Sequence, residues 1–454
     1  MLREISPLDG RYRAQLDELG DLFSEFALVR ERCRVEILYL LALDATGCFP
    51  PLDDDEKARI DRVLNGFSDE DFARVQAIEA STRHDVKACE IFLREALDLS
   101  SPGAIHFGLT SADVNNLSYA RLIKRYREDS QLPQLRRLVA GLTERANAWV
   151  NVVFPAFTHG QPASPTTAGK ELAVFLRRLL EQIRTLEAVR LRGKLSGATG
   201  TYAALAAAAP DVNWPAFSRE FVGAMGLEWS DCTTQVEPCD SLAEYFGATA
   251  RINSVVLDLD IDLWEYISRS LLVQEPVAGE IGSSTMPHKV NPIQFENSEG
   301  NVAMANALLH ALADKLTHSR MQRDLSGSTV MRNIGVALAH SFLAVEQAIA
   351  GLSRVDVDEG ACRRAVDAHP EVLAEAIQTI LRSEGMADAY ERLKILTRGT
   401  SVTRDSLRRW TDELDVRDEV KARIHALEPT AYVGLAASIG SRVVRDARDW
   451  LGGS

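Results

Sequence analysis

Apolar residues recur at spacings of three and four along most of this chain, which is the pattern of amphipathic helices. The first clear stripe starts at Leu172 and continues with Phe175, Leu176, Leu179, Ile183 and Leu186. A longer stripe runs from Leu242 to Tyr266, with Thr249 as its one interruption, and predicts a helix over 241–272. Stripes of this length are typical of helices that pack against one another in a bundle.

More helices of this kind are predicted further along the chain, at 297–320, 328–352 and 361–382. Strand-like alternation is brief and is confined to 228–230 and the vicinity of Val236. We therefore predict an all-α fold. Clusters of Pro, Gly and Ser at 100–116 and 355–370 are typical of domain borders. They divide the chain into an N-terminal helical domain (1–110), a central long-helix bundle (111–362) and a C-terminal helical domain (363–454).

Composition narrows the possible functions of the 454 residues. The formal net charge is −14, which is unfavourable for binding nucleic acid because that affinity depends on neutralising phosphates. No long uncharged apolar run suggests a membrane span, and the start of the chain lacks a secretion signal. The six cysteines form no CxxC pair, so we expect free thiols and a cytoplasmic protein. A small anionic substrate would need a local cluster of basic residues.

Candidate catalytic residues lie in polar segments at predicted helix ends. The P-loop, HExxH, GxSxG and strand-linked GxGxxG signatures are missing. His159 follows Thr158 in a turn-like THGQP segment, and histidine is the residue type best suited to general acid or base catalysis, although a single histidine is more often structural. Ser283 could act as a base only if its alkoxide were stabilised, for example by Gly282 and Lys289. From the residues alone, a loop without a catalytic role is the simpler interpretation.

The segment GSSTMPHKVNP (282–292) resembles the GSSxMPxKxNP signature loop of the fumarase/aspartase superfamily. Its extension, GEIGSSTMPHKVNPIQFENSEGN, resembles the adenylosuccinate lyase family and specifically its longer bacterial type. The segments SPLDGRY, RHDVKACE, LTSADVNNL, FTHGQPASPTTAGKE, TTQVEP and SRMQRDLSGSTVMRN resemble further blocks of that family in the same order. The resemblance covers essentially the whole chain.

This resemblance implies a homotetramer with a twenty-helix core, in which three subunits contribute to each active site. It also implies a reaction without metal or cofactor, the β-elimination of fumarate from adenylosuccinate and from succinylaminoimidazole carboxamide ribotide in purine biosynthesis. Ser283 is then the general base and His159 the general acid. Carried over residue by residue, the implied substrate contacts are Arg11, Tyr12, Arg83, His84, Asp85, Thr110, Ser111, Gln235, Ser284, Lys289, Val290, Asn291, Asn297, Arg323, Ser328, Thr329, Val330, Met331 and Arg332.

Two positions depart from the family pattern, which has asparagine in place of Arg83 and histidine in place of Cys239. The alternatives are a sister lyase of the argininosuccinate lyase or fumarase type, or a structural homologue without activity. His288 and the phosphate-type blocks SPLDGRY and RHD favour a nucleotide substrate. Decay at His159 or Ser283 would favour the inactive homologue, and both residues are in place.

Overall fold

The computed structural model describes residues 5–276, 286, 288–397 and 402–453. Helices hold 68% of the described residues, which confirms the predicted all-α fold. The α-helices are α1 Asp17–Phe23, α2 Glu25–Asp44, α3 Asp54–Gly66, α4 Asp69–Thr82, α5 Asp85–Leu97, α6 Ser111–Arg125, α7 Leu132–Ala148, α8 Ala168–Ala188, α9 Ala203–Ala208, α10 Trp214–Ala224, α11 Asp240–Ser268, α12 Ile293–Leu316, α13 Ser326–Met331, α14 Ile334–Ser353, α15 Glu359–Asp367, α16 Ala374–Ser383, α17 Ala389–Thr397, α18 Arg404–Asp412, α19 Asp418–His425 and α20 Ala436–Gly452.

The strands of the described residues form three two-stranded sheets. These are the antiparallel pair β1 Val153–Thr158 and β2 Gln161–Thr167, the parallel pair β3 Arg192–Gly193 and β4 Glu228–Trp229, and the antiparallel pair β5 Leu272–Gln274 and β6 Val355–Val357. The strand predicted at 228–230 is confirmed by β4. The strand predicted near Val236 was wrong, because that segment is an irregular loop.

The apolar stripes located the long helices but not their ends. Helix α11 stops at Ser268, four residues short of the prediction, because Ser270 takes the left-handed conformation at φ 58° and the chain continues into β5. The helix predicted over 361–382 is interrupted at Pro370, whose ring restricts the preceding residue and lacks an N–H donor. The helix predicted over 328–352 is split into α13 and α14 by a tight turn in which Asn333 N–H donates to the Val330 carbonyl.

The chain divides into two compact units. Unit 1 comprises Met1–Leu135, Gln182–Ser254 and Gly300–Val345, and unit 2 comprises Arg136–Glu181, Val255–Glu299 and Glu346–Ser454. The division into three domains at 110 and 362 stays a prediction.

The one interruption in the α11 stripe, Thr249, is explained by a buried polar contact in unit 1. The Gln131 amide donates to Thr249 Oγ1 at 3.2 Å and accepts from the Tyr245 hydroxyl at 2.7 Å. All three residues are buried, and Gln131 ends the π-helix Tyr126–Gln131. A polar residue therefore occupies a core position because a buried amide needs partners.

Among the described residues, the segment Ser326–Ser353 contains an 18-residue window that is long and apolar enough to cross a membrane, and the mean hydropathy of this window is 1.4. The window is 61% buried within the fold. Such burial is typical of the core helix of a globular protein.

Candidate active site

His159 lies at the tip of the β1–β2 hairpin in unit 2. Its φ of 53° and the φ of 71° at Gly160 are both left-handed, which suits a two-residue hairpin turn between the paired residues Thr158 and Gln161. The predicted turn is confirmed, although its flanking strands were not foreseen. The residue is exposed and has no hydrogen-bond partner within the described ranges. Its ring is therefore free to meet a ligand.

The hairpin that carries His159 rests on a packed base. The Arg269 guanidinium lies 4.3 Å from the centre of the Phe157 ring. The Phe154 ring meets Tyr266 edge-on, with ring centres 4.9 Å apart. These contacts hold both ends of β1, so the turn is presented by a rigid element and not by a free loop.

The signature loop is only partly described. Ser283 and Ser284 lie outside the described residues, whereas Lys289, Val290 and Asn291 lie within them, in unit 2. The Lys289 side chain is exposed. The backbone N–H of Lys289 donates to the Met286 carbonyl at 3.1 Å. The Val290 carbonyl accepts a hydrogen bond from the Gln274 amide at 3.1 Å. Asn297 is half-buried in the second turn of α12.

In unit 1, Thr110 and Ser111 form the start of α6. The Thr110 N–H donates to Asp113 Oδ2 at 2.8 Å, and Asp113 Oδ1 lies 2.9 Å from Lys194 Nζ. Lys194 Nζ also donates to the carbonyls of Gly197 and Gln235 at 2.8 and 2.7 Å. The Gln235 side-chain amide donates to the Ala198 carbonyl at 2.9 Å. We call the set of Thr110, Asp113, Asn116, Lys194, Gly197 and Gln235 the enclosed network.

A cavity that is open to solvent lies beside this network in unit 1. Three segments line it, namely the first turns of α6, the 236–239 loop, and the 316–331 stretch that carries Arg323 and Ser328. The Arg323 guanidinium has no ion-pair partner in the described part of the chain. It is therefore available to an anionic ligand in the cavity.

A second set of charges, which we call the open cluster, consists of Glu25, Arg32, Asp85 and Arg332. Asp85 Oδ2 accepts from Arg32 at 2.8 Å and from Arg332 at 3.1 Å, and Arg332 also donates to Glu25 at 2.6 Å. Burial alone raises the pKa of the Asp85 carboxyl, but the charges of Arg32 and Arg332 and the Val86 N–H outweigh it and lower the pKa. Asp85 is therefore ionised at neutral pH.

His84 precedes the open cluster and caps α5. Its Nδ1 accepts from the Lys87 N–H at 3.2 Å, so the neutral ring carries its proton on Nε2. The side chain is 51% exposed, which leaves Nε2 able to donate to a ligand. Arg83 ends α4 in the left-handed conformation at φ 53°.

The other predicted contacts of unit 1 are spread over several elements. The Arg11 guanidinium lies 6.0 Å from the centre of the Tyr12 ring, in the turn before α1. Thr329 and Val330 lie on α13 between Ser328 and Met331, and these last two line the cavity. The structure thus pairs Asp85 with Arg332, places Arg323 and Ser328 on the same cavity, and connects Thr110 to Gln235 only through Asp113 and Lys194.

Family models and relatives agree on the affiliation of this chain. A lyase family model matches residues 10–306, and a model described as adenylosuccinate lyase C-terminal matches residues 319–433. Curated adenylosuccinate lyases from Haemophilus influenzae and Escherichia coli K12 are 42% and 43% identical to it over 446 residues, which is 96% of this chain and 98% of theirs. The chain belongs to the adenylosuccinate lyase family. It is therefore a lyase of the fumarase/aspartase superfamily.

Solved structures of other superfamily members share the fold. A fumarate lyase from Mesorhizobium sp. BNC1 has a TM-score of 0.78 at 18% identity and covers 94% of this chain and 97% of its own. A 3-carboxy-cis,cis-muconate lactonizing enzyme from Pseudomonas putida has a TM-score of 0.77 at 20% identity, covering 96% and 97%. At these identities the likeness concerns the fold alone.

Sequence reasoning missed several residues that shape the site of this family member. Arg32 is buried and joins Asp85 to the cavity-lining Asn115, to which its Nε donates at 2.8 Å. Asp113 and Lys194 were missed as well. The one available signal was the Thr-x-x-Asp spacing from Thr110 to Asp113, which is a helix-capping pattern.

Cys239, where the adenylosuccinate lyase pattern has histidine, also lines the cavity. Burial raises the pKa of its thiol, so the group stays protonated and unreactive at neutral pH. Within the described ranges, no group of three or more His, Cys, Asp or Glu side chains could hold a metal ion.

Proposed function

We propose that this chain catalyses the β-elimination of fumarate from adenylosuccinate, giving AMP, and the equivalent cleavage of succinylaminoimidazole carboxamide ribotide. The observation that supports this most is the extent of the similarity to curated adenylosuccinate lyases, which spans 96% of the chain. Ser283 and His159, the base and acid that the reaction needs, are both present in the sequence.

The reaction needs one base and one acid in fixed positions. Ser283, as the alkoxide, takes the proton from the carbon beside a succinyl carboxylate, and the electron pair left behind spreads into that carboxylate. The carbon–nitrogen bond then breaks, its electrons pass to the amine nitrogen, and His159 gives that nitrogen a proton. Fumarate and the nucleotide then leave. A general base and a general acid each typically contribute ~10²–10⁴-fold to the rate. Lys289 lies beside the carboxylate that bears the developing charge.

The geometry of unit 1 suits the anionic parts of this substrate. The start of α6, with Thr110 and Ser111, is the positive end of a helix dipole, which favours a carboxylate. His84 Nε2 and Arg323, which has no ion-pair partner among the described residues, are donors for phosphate oxygens. Arg11 adds a further positive charge. We infer that Arg11, His84 and Arg323 together supply the local positive charge that a chain of net charge −14 needs in order to bind an anion.

We further infer a cytoplasmic homotetramer in which each active site takes residues from three subunits. Large apolar side chains on the long helices are exposed in the single chain, with fractions of 42% at Val174, 43% at Ile261, 40% at Trp264 and 52% at Met304. Burying such residues against copies of the same helices removes apolar surface from water. Light scattering on the purified protein tests this assembly, and a monomeric mass would contradict it.

The catalytic roles are tested with Ser283→Ala and His159→Ala. Each variant should lose about 10²-fold or more of the turnover of adenylosuccinate while still binding it. His425→Ala is the matched control, because His425 is another histidine of unit 2 and pairs with Asp412 at 2.8 Å. It should keep normal turnover. Near-normal activity of Ser283→Ala would exclude Ser283 as the base.

Mixing the two inactive variants tests whether active sites are shared between subunits. The mixture should regain activity, because some sites then combine an intact Ser283 from one subunit with an intact His159 from another.

A further inference from the structure

The enclosed network joins two predicted substrate-contact segments that are far apart in the sequence. Its central pair, Asp113 and Lys194, has both side chains 0% exposed. Burial lowers the pKa of Lys194 more than the Asp113 carboxylate raises it. An ion pair without contact to water is weak evidence for added stability, because desolvation offsets the attraction between the charges. Its presence therefore calls for another role.

The Asp113 carboxylate is saturated by backbone donors as well as by Lys194. Its Oδ2 accepts from Thr110 N–H at 2.8 Å, and its Oδ1 accepts from the N–H groups of Ser196 and Gly197 at 3.0 and 3.3 Å. One side chain of α6 therefore fixes both the start of its own helix and the loop after β3.

Lys194 extends the same connection to the loop that contains Gln235. Its three N–H donors point to Asp113 Oδ1 and to the carbonyls of Gly197 and Gln235. The Lys194 backbone is held in turn by Asn116, whose amide oxygen accepts its N–H at 2.8 Å and whose amide nitrogen donates to its carbonyl at 3.1 Å. The ammonium group is thus the point at which three separate segments meet.

Close backbone packing completes this arrangement at Gly200. A Cβ atom on Gly200 would lie 2.1 Å from the Thr233 carbonyl oxygen, so the loop after β3 and the loop before Gln235 approach each other more closely than any side chain permits. Asn116 of α6, which holds the Lys194 backbone, and Val236, which follows Gln235, both line the cavity.

We propose that the Asp113–Lys194 pair is a positioning device that fixes Thr110 and Ser111 relative to Gln235 for substrate binding. The inference rests on the proposed function, in which these residues contact the substrate. Neither charged group lines the cavity itself. The pair acts through the backbone of Thr110, Ser111 and Gln235, whose chain neighbours Ala112 and Val236 line the cavity.

The test separates positioning from stability. A single substitution leaves a buried charge unpaired and can prevent folding, so the decisive variant is the double one, Asp113→Asn with Lys194→Gln, which keeps hydrogen-bonding groups of similar size without charge. Glu56→Gln is the matched control. Glu56 is also a buried carboxylate of unit 1, and it accepts from the N–H groups of Asp53 and Ser100 at 2.9 and 2.7 Å.

Thermal unfolding is first measured for both variants. Steady-state kinetics on adenylosuccinate are then measured at a temperature well below both melting temperatures. We expect both to lose some thermal stability, but only the double variant to show KM raised about fivefold or more. A smaller rise in KM overturns the positioning role. Absence of turnover in the parent protein refutes the proposed function instead. In that case the dissociation constant for adenylosuccinate, measured by calorimetry on the same variants, tests the positioning role, again with a fivefold rise as the threshold.

Discussion

Asp85 and Asp113 occupy similar local positions but very different surroundings. Each lies in the first turn of a helix of unit 1 and is followed by valine. Asp113 is 0% exposed and meets one ammonium group and three backbone N–H groups. Asp85 is 25% exposed and meets two guanidinium groups, one of them itself 42% exposed. The Asp113 carboxylate therefore fixes backbone segments, whereas the Asp85 carboxylate fixes arginine side chains, of which Arg332 is accessible to a ligand.

The comparison shows that the same dipeptide serves two purposes according to its surroundings. In the enclosed network all partners are internal, so a substitution should act first on stability and on the placement of the backbone. In the open cluster Asp85 and its partner Arg332 are partly exposed, so a substitution should act first on ligand binding. The predictions below test this difference, from the largest expected effect to the smallest.

Lys194→Met should lower the free energy of unfolding by about 3–5 kcal/mol, because it leaves the Asp113 carboxylate buried without its cation. Urea unfolding followed by circular dichroism measures this. Arg74→Met is the matched control, since Arg74 pairs with Glu95 at 2.7 Å where both side chains are about half exposed. It should change stability by less than about 1 kcal/mol. Equal losses in the two variants would contradict the comparison.

Asp85→Asn should raise KM for adenylosuccinate roughly tenfold, because Arg332 and Arg32 lose the charged acceptor that aligns them. Its stability should fall less than that of Lys194→Met. The control is Asp388→Asn, which removes an exposed acceptor 2.7 Å from Arg392 in unit 2 and should leave KM unchanged. An unchanged KM in Asp85→Asn would show that the open cluster does not serve binding.

The His106–Glu36 contact extends the comparison to a pair that titrates. The His106 Nδ1 atom lies 2.5 Å from Glu36 Oε1. Burial lowers the pKa of His106, but the hydrogen bond and charge of Glu36 outweigh it and raise the pKa. Because the folded-state pKa is raised, the stabilisation is complete below the ordinary value near 6.5 and is lost as pH rises through the raised value.

Thermal melting temperatures measured from pH 6 to pH 9 test this sign. The parent should lose stability across that window to a greater extent than His106→Asn, in which asparagine tolerates the φ of 59° at this position. A parallel decline in both proteins would exclude the contact as the cause.

Glu25→Gln should have the smallest effect. Glu25 is 58% exposed and shares Arg332 with Asp85. Its loss should change stability by less than about 1 kcal/mol, because exposed ion pairs contribute little. KM should stay the same or fall slightly, since a negative charge is removed near an anion-binding residue. A large rise in KM would mean that Glu25, and not Asp85, aligns Arg332.

The helices could be predicted well, because a helix that buries one apolar face shows apolar residues at spacings of three and four along the sequence. The stripe from Leu172 to Leu186 lies within α8, as predicted. Helix ends were less predictable, because they depend on single backbone conformations such as the left-handed φ of Ser270. The β1–β2 hairpin was missed because its strands contain prolines and are too short for a clear alternation.

Site residues could be predicted when they belong to a recognisable sequence motif. They could not be predicted when their role depends on a contact that only the fold creates. His159 and Arg323 belong to family segments that can be recognised in the sequence. Lys194 is a single lysine in a glycine-rich loop, and only the fold shows that it meets Asp113 and the carbonyl of Gln235. Likewise, nothing in the α2 sequence indicates that Arg32 bridges Asp85 and Asn115. Residues that act through other residues leave no local signature.

The most direct test of the central claim is a comparison of substrates for the purified protein. Release of fumarate is measured with adenylosuccinate, succinylaminoimidazole carboxamide ribotide, argininosuccinate and malate under the same conditions. We predict that both nucleotide substrates are cleaved, with one AMP formed for each fumarate released from adenylosuccinate, and that the other two compounds are not. Faster release from argininosuccinate or malate, or no release from adenylosuccinate, would contradict the proposed function.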